Sequence, residues 1–265
     1  MNVLIIYTDP DPVENPPAYG AGGVTPLMSS DTRDRLGENR LLALLPAAEQ
    51  EALRRHAELI SLRHGQHAIV PDEPIPSVHF PLTCLLSMVT TMEDGSTVES
   101  GTIGREGMAG IPVLLNAGQT TMPTFCQIPG DALRVRSELV RDLYEGNQEV
   151  RRIFNRYVHT VVVVGSQSSA CNALHRVEER MCRWLLMSSD GVASDEVRLT
   201  QEYLSVMLGV RRPGVTEVAG RFRSEGLIDY TRGSIRVLDR AGMERRACEC
   251  YGRVKGEYER LFGGA

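Results

Sequence analysis

The 265-residue chain lacks any apolar run of membrane-crossing length. Its first such run, Val3 to Tyr7, falls far short of the roughly 20 residues a spanning helix needs and has no basic flank of a secretory leader. No membrane anchor is expected. An excess of positive charge is also missing: the formal net charge is -5, so the protein as a whole has no general attraction for nucleic acid, and any basic face must be local. A disulfide framework is absent as well. Cys84, Cys126, Cys171, Cys182, Cys248 and Cys250 are scattered without a leader, a pattern of reduced thiols that points to the cytoplasm. Catalytic signatures are wanting too, for there is no nucleophile elbow, phosphate-cradling loop or paired metal motif. The glycines from Gly104 to Gly110 lack the spacing of a dinucleotide site. An enzyme is not expected.

Residues 1–35 are broken by Pro10, Pro12, Pro16, Pro17 and Pro26 and are too polar to order themselves, so they read as a flexible N-terminal tail. Leu41, Leu42, Leu45, Ala48, Leu53 and Ala57 then recur at helical spacing, with Pro46 dividing two short helices. From Leu59 to Val135 the texture becomes short β-branched runs separated by turn residues. Residues 36–136 are therefore expected to form a β-roll, whose clearest hairpin joins Leu85–Met92 to Thr97–Ile103 through Asp94-Gly95.

Residues 137–174 are expected to supply a long helix. From Glu149 onward there is no proline, and a 4,3 spacing selects Val150, Phe154, Tyr157, Val161, Val164, Ser168 and Cys171. That stripe fits either the seam of a dimer or an amphipathic helix packed on its own domain. The valines from Val161 to Val164 are poor helix formers, and such a run favours burial on several sides and hence the dimer.

Residues 175–240 read as a winged helix-turn-helix. Thr200 is a natural N-cap, Leu204, Met207 and Leu208 form one apolar face, and Gly209 can end the helix in a left-handed conformation. Pro213 suits the first turn of a second helix, whose apolar face is Val215, Val218 and Phe222. The candidate DNA-contacting residues are Thr200, Gln201, Arg211, Arg212, Thr216, Glu217, Arg221 and Arg232. Arginine pairs bidentately with guanine, and glutamate accepts from the cytosine amino group. Between Arg211 and Arg236 six arginines stand against Glu217, Glu225 and Asp229, the local excess that phosphate binding requires. The alternatives are a surface helix and hairpin with solvated charges, or a ligand-binding or protein-interaction module in which the helix pair is a docking surface. Asp229 to Leu238 makes the wing, turning at Arg232-Gly233, and residues 241–265 add a C-terminal helix. That helix packs either on the reader or across a dimer interface.

The order of parts, with the strings Ile103-Gly104-Arg105-Glu106-Gly107-Met108-Ala109-Gly110 and Leu199-Thr200-Gln201-Glu202 through Leu227-Ile228, resembles the Crp/Fnr superfamily over roughly residues 40 to 240. The resemblance implies an α+β fold, with a jelly-roll-like sensor of the cyclic-nucleotide-binding type, a dimerisation helix and a C-terminal winged helix-turn-helix. It also implies a homodimer on a palindromic double-stranded DNA operator and contact with RNA polymerase. Arg212, Thr216 and Glu217 fall on or beside the family's base-reading positions, with Pro213 in place of a common glutamate. The ligand pocket departs from the family pattern at Gly104, Arg105, Glu106, Thr120 and Thr121. No arginine or lysine lies between Arg105 and Arg134 to hold a buried phosphate, so cyclic AMP and cyclic GMP are not expected to bind in the usual way. The family's N-terminal cluster cysteines are missing, since none precedes Cys84. His56, His64, His67, His79 and Cys84 show no haem spacing, and Cys248-Glu249-Cys250 is too short to be a zinc site by itself. Neither cofactor nor metal is expected, and the effector is left open.

Overall fold

The computed structural model describes residues 35–93, 97–231 and 233–263, without the side chains of Gln201 and Glu202. The expected tail, apart from Arg35, and the Asp94-Gly95 turn lie outside the described residues. Two 3-10 turns, Leu36–Glu38 and Leu42–Leu44, lead into helix α1 (Ala47–His56). Pro46 takes the N-cap of α1, where a missing backbone N–H removes no intrahelical bond.

Seven strands follow: β1 (Glu58–Leu62), β2 (His67–Ile69), β3 (Ser77–Pro81), β4 (Leu85–Thr91), β5 (Thr97–Ile103), β6 (Thr124–Ile128) and β7 (Gly130–Arg136). They form two antiparallel sheets, ordered β1-β7-β3 and β2-β6-β4-β5, with the short helix α2 (Ile111–Leu114) between β5 and β6. The β4–β5 hairpin pairs Thr91 with Thr97, and its register shifts between Met88 and Val89. Val78, Phe80, Leu133 and Val135 from one sheet share a core with Ile69, Leu86, Ile103 and Cys126 from the other. Sharing one core across both sheets makes this unit a roll. His56, His64 and His67 are exposed, while His79 is buried.

Helix α3 (Ser137–Gly146) then turns into α4 (Gln148–Leu174), capped by Asn147, which accepts from the N–H groups of Glu149 and Val150. The inner face of α4, Val150, Ile153, Phe154 and Tyr157, belongs to the core of the roll. The Tyr157 hydroxyl donates to Met108 O (3.0 Å) and accepts from Met108 N (2.9 Å). The stripe expected as a dimer seam is packed inside this chain. Val150, Phe154, Tyr157, Val164, Ser168 and Cys171 are all buried within one chain, and Val161 packs against the roll core. A 4,3 stripe records that a helix face is covered, not whether the cover is another copy or the same chain. The uncovered face of α4 is Asn155, His159, Val162, Ser166, Ser169 and Ala173, with Val162 at 62% exposure.

The reader comprises α5 (Val177–Val192), β8 (Glu196–Val197), α6 (Gln201–Met207), α7 (Arg212–Ser224), β9 (Ile228–Thr231) and β10 (Ser234–Val237). Its strands form an antiparallel sheet in the order β8-β10-β9. The single helix expected after the wing is two, α8 (Arg240–Arg246) and α9 (Glu249–Phe262), broken at Ala247-Cys248. Met243 of α8 enters the reader core, whereas Leu261 at the end of α9 enters that of the roll. The Arg40 guanidinium lies 3.8 Å above the centre of the Phe262 ring. The terminal helices thus bridge both units of their own chain.

Candidate nucleic-acid interface

Thr200 begins the first helix of the motif by accepting from the Tyr203 N–H at 3.3 Å. Leu204, Met207 and Leu208 point inward, and Gly209 closes α6 at φ +60, its N–H donating to Val206 O at 3.0 Å. A positive φ here strains any side-chain-bearing residue, so glycine is the economical terminator. Pro213 occupies the first turn of α7, while Val215, Val218, Ala219 and Phe222 are buried in the reader core beside Leu204 and Leu208. These contacts fix which side of α7 faces out.

The outward side carries Arg211, Arg212, Thr216 and Glu217, all exposed. The Thr216 hydroxyl donates to the Arg212 carbonyl at 3.1 Å. Arg221 is exposed too, but it pairs with Glu178 of α5 at 2.9 Å, a carboxylate that also holds Arg246 at 3.1 Å. Pairs of this exposure are worth about 0–1 kcal/mol, so a phosphate can compete for Arg221. The wing is present, with Ser234 opposite Thr231 and Gly233 at φ +89. Arg232 and the Gln201 side chain lie outside the described residues.

The reader is docked on the roll. Glu99 of β5 is buried and accepts from Ser87 Oγ (2.7 Å) and from Trp184 Nε1 of α5 (2.8 Å). Burial pushes its pKa up to about 7, against the opposing hydrogen bonds from Ser87 and Trp184. Nearby, a Cβ on Gly104 would land on the backbone of Gly191, and Arg105 N–H donates to Gly191 O at 2.9 Å. Glu106 accepts from Gly104 N–H at 2.8 Å. The Gly104-Arg105-Glu106 turn therefore lies under the end of α5. Beside it a cleft of about 430 Å³ opens between roll and reader, with Arg40, Arg105, Asp190, Arg240 and Lys255 in its walls. Thr120 and Thr121 are not among those walls; the Thr120 carbonyl accepts from Asp72 N–H at 2.8 Å.

One group of residues escaped the sequence pattern. Cys171 and His175, a helical turn apart at the end of α4, meet Cys248 and Cys250 at the start of α9, with all four ligand atoms within 4.8 Å of one another. The i, i+4 spacing of Cys171 and His175 was a usable signal. Its partner pair lies more than seventy residues away, and only the fold joins them.

Residues 179–246 match the model of the Crp-like helix-turn-helix domain. The architecture is also that of solved regulators. A putative Crp/Fnr-family transcriptional regulator from Eubacterium rectale superposes with a TM-score of 0.60 at 16% identity, covering 79% of this chain and 98% of that one. FixK2 from Bradyrhizobium japonicum gives 0.62 at 14% identity, covering 72% and 98%. The chain has the Crp/Fnr regulator fold. A CRP-family transcriptional regulator from Thermus thermophilus has it too, with a TM-score of 0.58 at 18% identity, covering 72% and 96%. No curated protein matches the sequence. Within the matched residues α6 and α7 are the helix-turn-helix, and β9 and β10 follow it as the wing. Among the described residues no helix is long and apolar enough to cross a membrane.

Proposed function

We propose that this protein is a sequence-specific DNA-binding transcription regulator that acts as a homodimer on a palindromic operator in the cytoplasm. The outward polar face of α7 carries the proposal, because a short helix held from behind by an apolar core presents its exposed residues together to a major groove. Arg212, Thr216 and Glu217 are assigned to base edges. Arg211, Arg221, Thr200, Gln201 and Arg232 are assigned to the backbone, Arg221 by exchanging Glu178 for a phosphate. The Crp-like domain over 179–246 supports this assignment.

The second copy is assigned to the open face of α4, where Asn155, His159, Val162, Ser166, Ser169 and Ala173 repeat at 4,3 spacing. Two readers held by such a helix pair meet half-sites about one helical turn apart. Cyclic AMP and cyclic GMP are not the effector in this reading. The region around Gly104 is filled by backbone from α5, and Thr120-Thr121 supply no cation. The test is retention of a promoter fragment across salt concentrations. A DNA reader loses affinity steeply as salt rises and prefers its operator to scrambled DNA, whereas a docking module does neither.

A further inference from the structure

We propose that Cys171, His175, Cys248 and Cys250 form a closed, tetrahedral site for one thiophilic divalent cation, of which Zn²⁺ is the best fit. The four ligand atoms lie within 4.8 Å of one another, and the three cysteines are buried. Cys171 Sγ is 3.5 Å from Cys248 Sγ, and Cys250 Sγ is 3.5 Å from His175 Nδ1. Zinc–sulfur and zinc–nitrogen bonds of about 2.3 and 2.0 Å place tetrahedral ligand atoms roughly 3.5–3.8 Å apart. The two 3.5 Å spacings are close to those edges, and a contraction of at most about 1 Å would bring in the remaining pairs, all within 4.8 Å. A multi-iron cluster would need its ligands spread around several metal atoms, whereas this set surrounds space for one.

Buried cysteines also serve as small apolar packers, and three together could be that alone. The polar groups around them distinguish a site from packing. His175 turns Nδ1 toward Cys250 and Nε2 to the Glu249 carboxylate at 3.3 Å, which places the proton on Nε2 and leaves Nδ1 a free ligand. A carboxylate behind a ligating imidazole is the usual outer support of zinc sites. Gln167 Nε2 lies 3.0 Å from Cys250 Sγ, where it can donate to a thiolate. The charges of Arg180 and Arg183 act on Cys171 as well, which offsets the net negative charge of three thiolates on a divalent ion. Binding breaks the three S–H bonds and passes their protons to water while the imidazole stays neutral.

With three sulfurs and one nitrogen the ion has no open position, so its role is to hold structure rather than to catalyse. It would tie the last turn of α4, from which the chain enters the reader, to the first turn of α9. This site does not depend on the identity of the operator or on DNA binding.

The test uses the full-length chain, purified with reductant, stripped of metal and titrated anaerobically with Co²⁺ and then Zn²⁺. One Co²⁺ per chain with the intense visible bands of tetrahedral thiolate coordination, bleached by Zn²⁺, is expected. Cys248→Ser with Cys250→Ser abolishes those bands. Glu249→Gln, a change at a side chain 65% exposed, keeps the bands but weakens affinity about 10- to 100-fold. The proposal is overturned by absence of the bands in the folded wild type, or by equal uptake in the double variant. It is overturned equally by conversion of Cys171 and Cys248 to a disulfide in the presence of excess Zn²⁺.

Discussion

Trp184 donates its indole N–H to Glu99 at 2.8 Å and so joins the first helix of the reader to β5, an edge strand of the roll. It is the chain's one tryptophan, which makes this contact separately visible. Glu99 has a folded pKa of about 7 because burial penalises its charge, well above the ordinary 4.5. A raised carboxyl pKa means the folded state holds the proton longer. The stabilising effect is complete below about pH 4.5 and is lost as pH rises to about 7, a change of about 3 kcal/mol at most. Trp184 emission is expected to titrate with a midpoint near 7 in the wild type, and that titration should vanish in Glu99→Gln. Emission that is flat between about pH 5 and 8 in both proteins contradicts the account.

Arg212→Ala should cost about 1–3 kcal/mol of discrimination between operator and scrambled DNA. Arg211→Ala should weaken both alike and reduce the salt slope by about 1. Competition binding at several salt concentrations separates the two effects, and identical losses for both variants would remove the distinction between base and phosphate contacts.

Gly104→Ala should loosen the reader from the roll, because the added methyl lands on the Gly191 backbone, which cannot rotate away as a side chain could. The expected cost is about 1–3 kcal/mol in urea denaturation. Gly252→Ala is the control. It lies in α9 with nothing within 4 Å of the new methyl and should be neutral or stabilising by up to about 1 kcal/mol.

Val162→Glu places a charge on the open face of α4 and should convert a dimer to a monomer without unfolding it, as read by light scattering and circular dichroism. Val164→Glu, two residues on but only 5% exposed, should instead unfold the region. Monomers from neither variant, with both folded, would move the dimer interface elsewhere.

The sequence disclosed local grammar well and long-range partnership poorly. Pro46, Gly209, Pro213 and Gly233 each restrict the backbone conformations open to the chain, and the breaks and turns they imply are those observed. The helix-turn-helix was legible for the same reason, since its two apolar faces and its turn lie within one short stretch. The face of α4 was readable as covered, but the covering partner was not. Phe154 and Tyr157 meet the roll, and Cys171 meets Cys248 of α9, contacts set by chain crossings that periodicity does not encode. Cys248 and Cys250 looked insufficient as a metal site for the same cause, their complement being on another helix. Glu99 gave no signal at all, because a glutamate in a hairpin is ordinarily solvated.

Leu261 shares a core with Leu36, although the whole reader lies between them in the chain. During synthesis from the N-terminus, the strands of the roll emerge and pair first, yet that core stays incomplete until the last helix leaves the ribosome. The core of the roll is therefore completed only after the unit that follows it in the chain has been made. A nascent chain stalled within the reader would hold a roll with an unsealed apolar seam, where chaperones can bind.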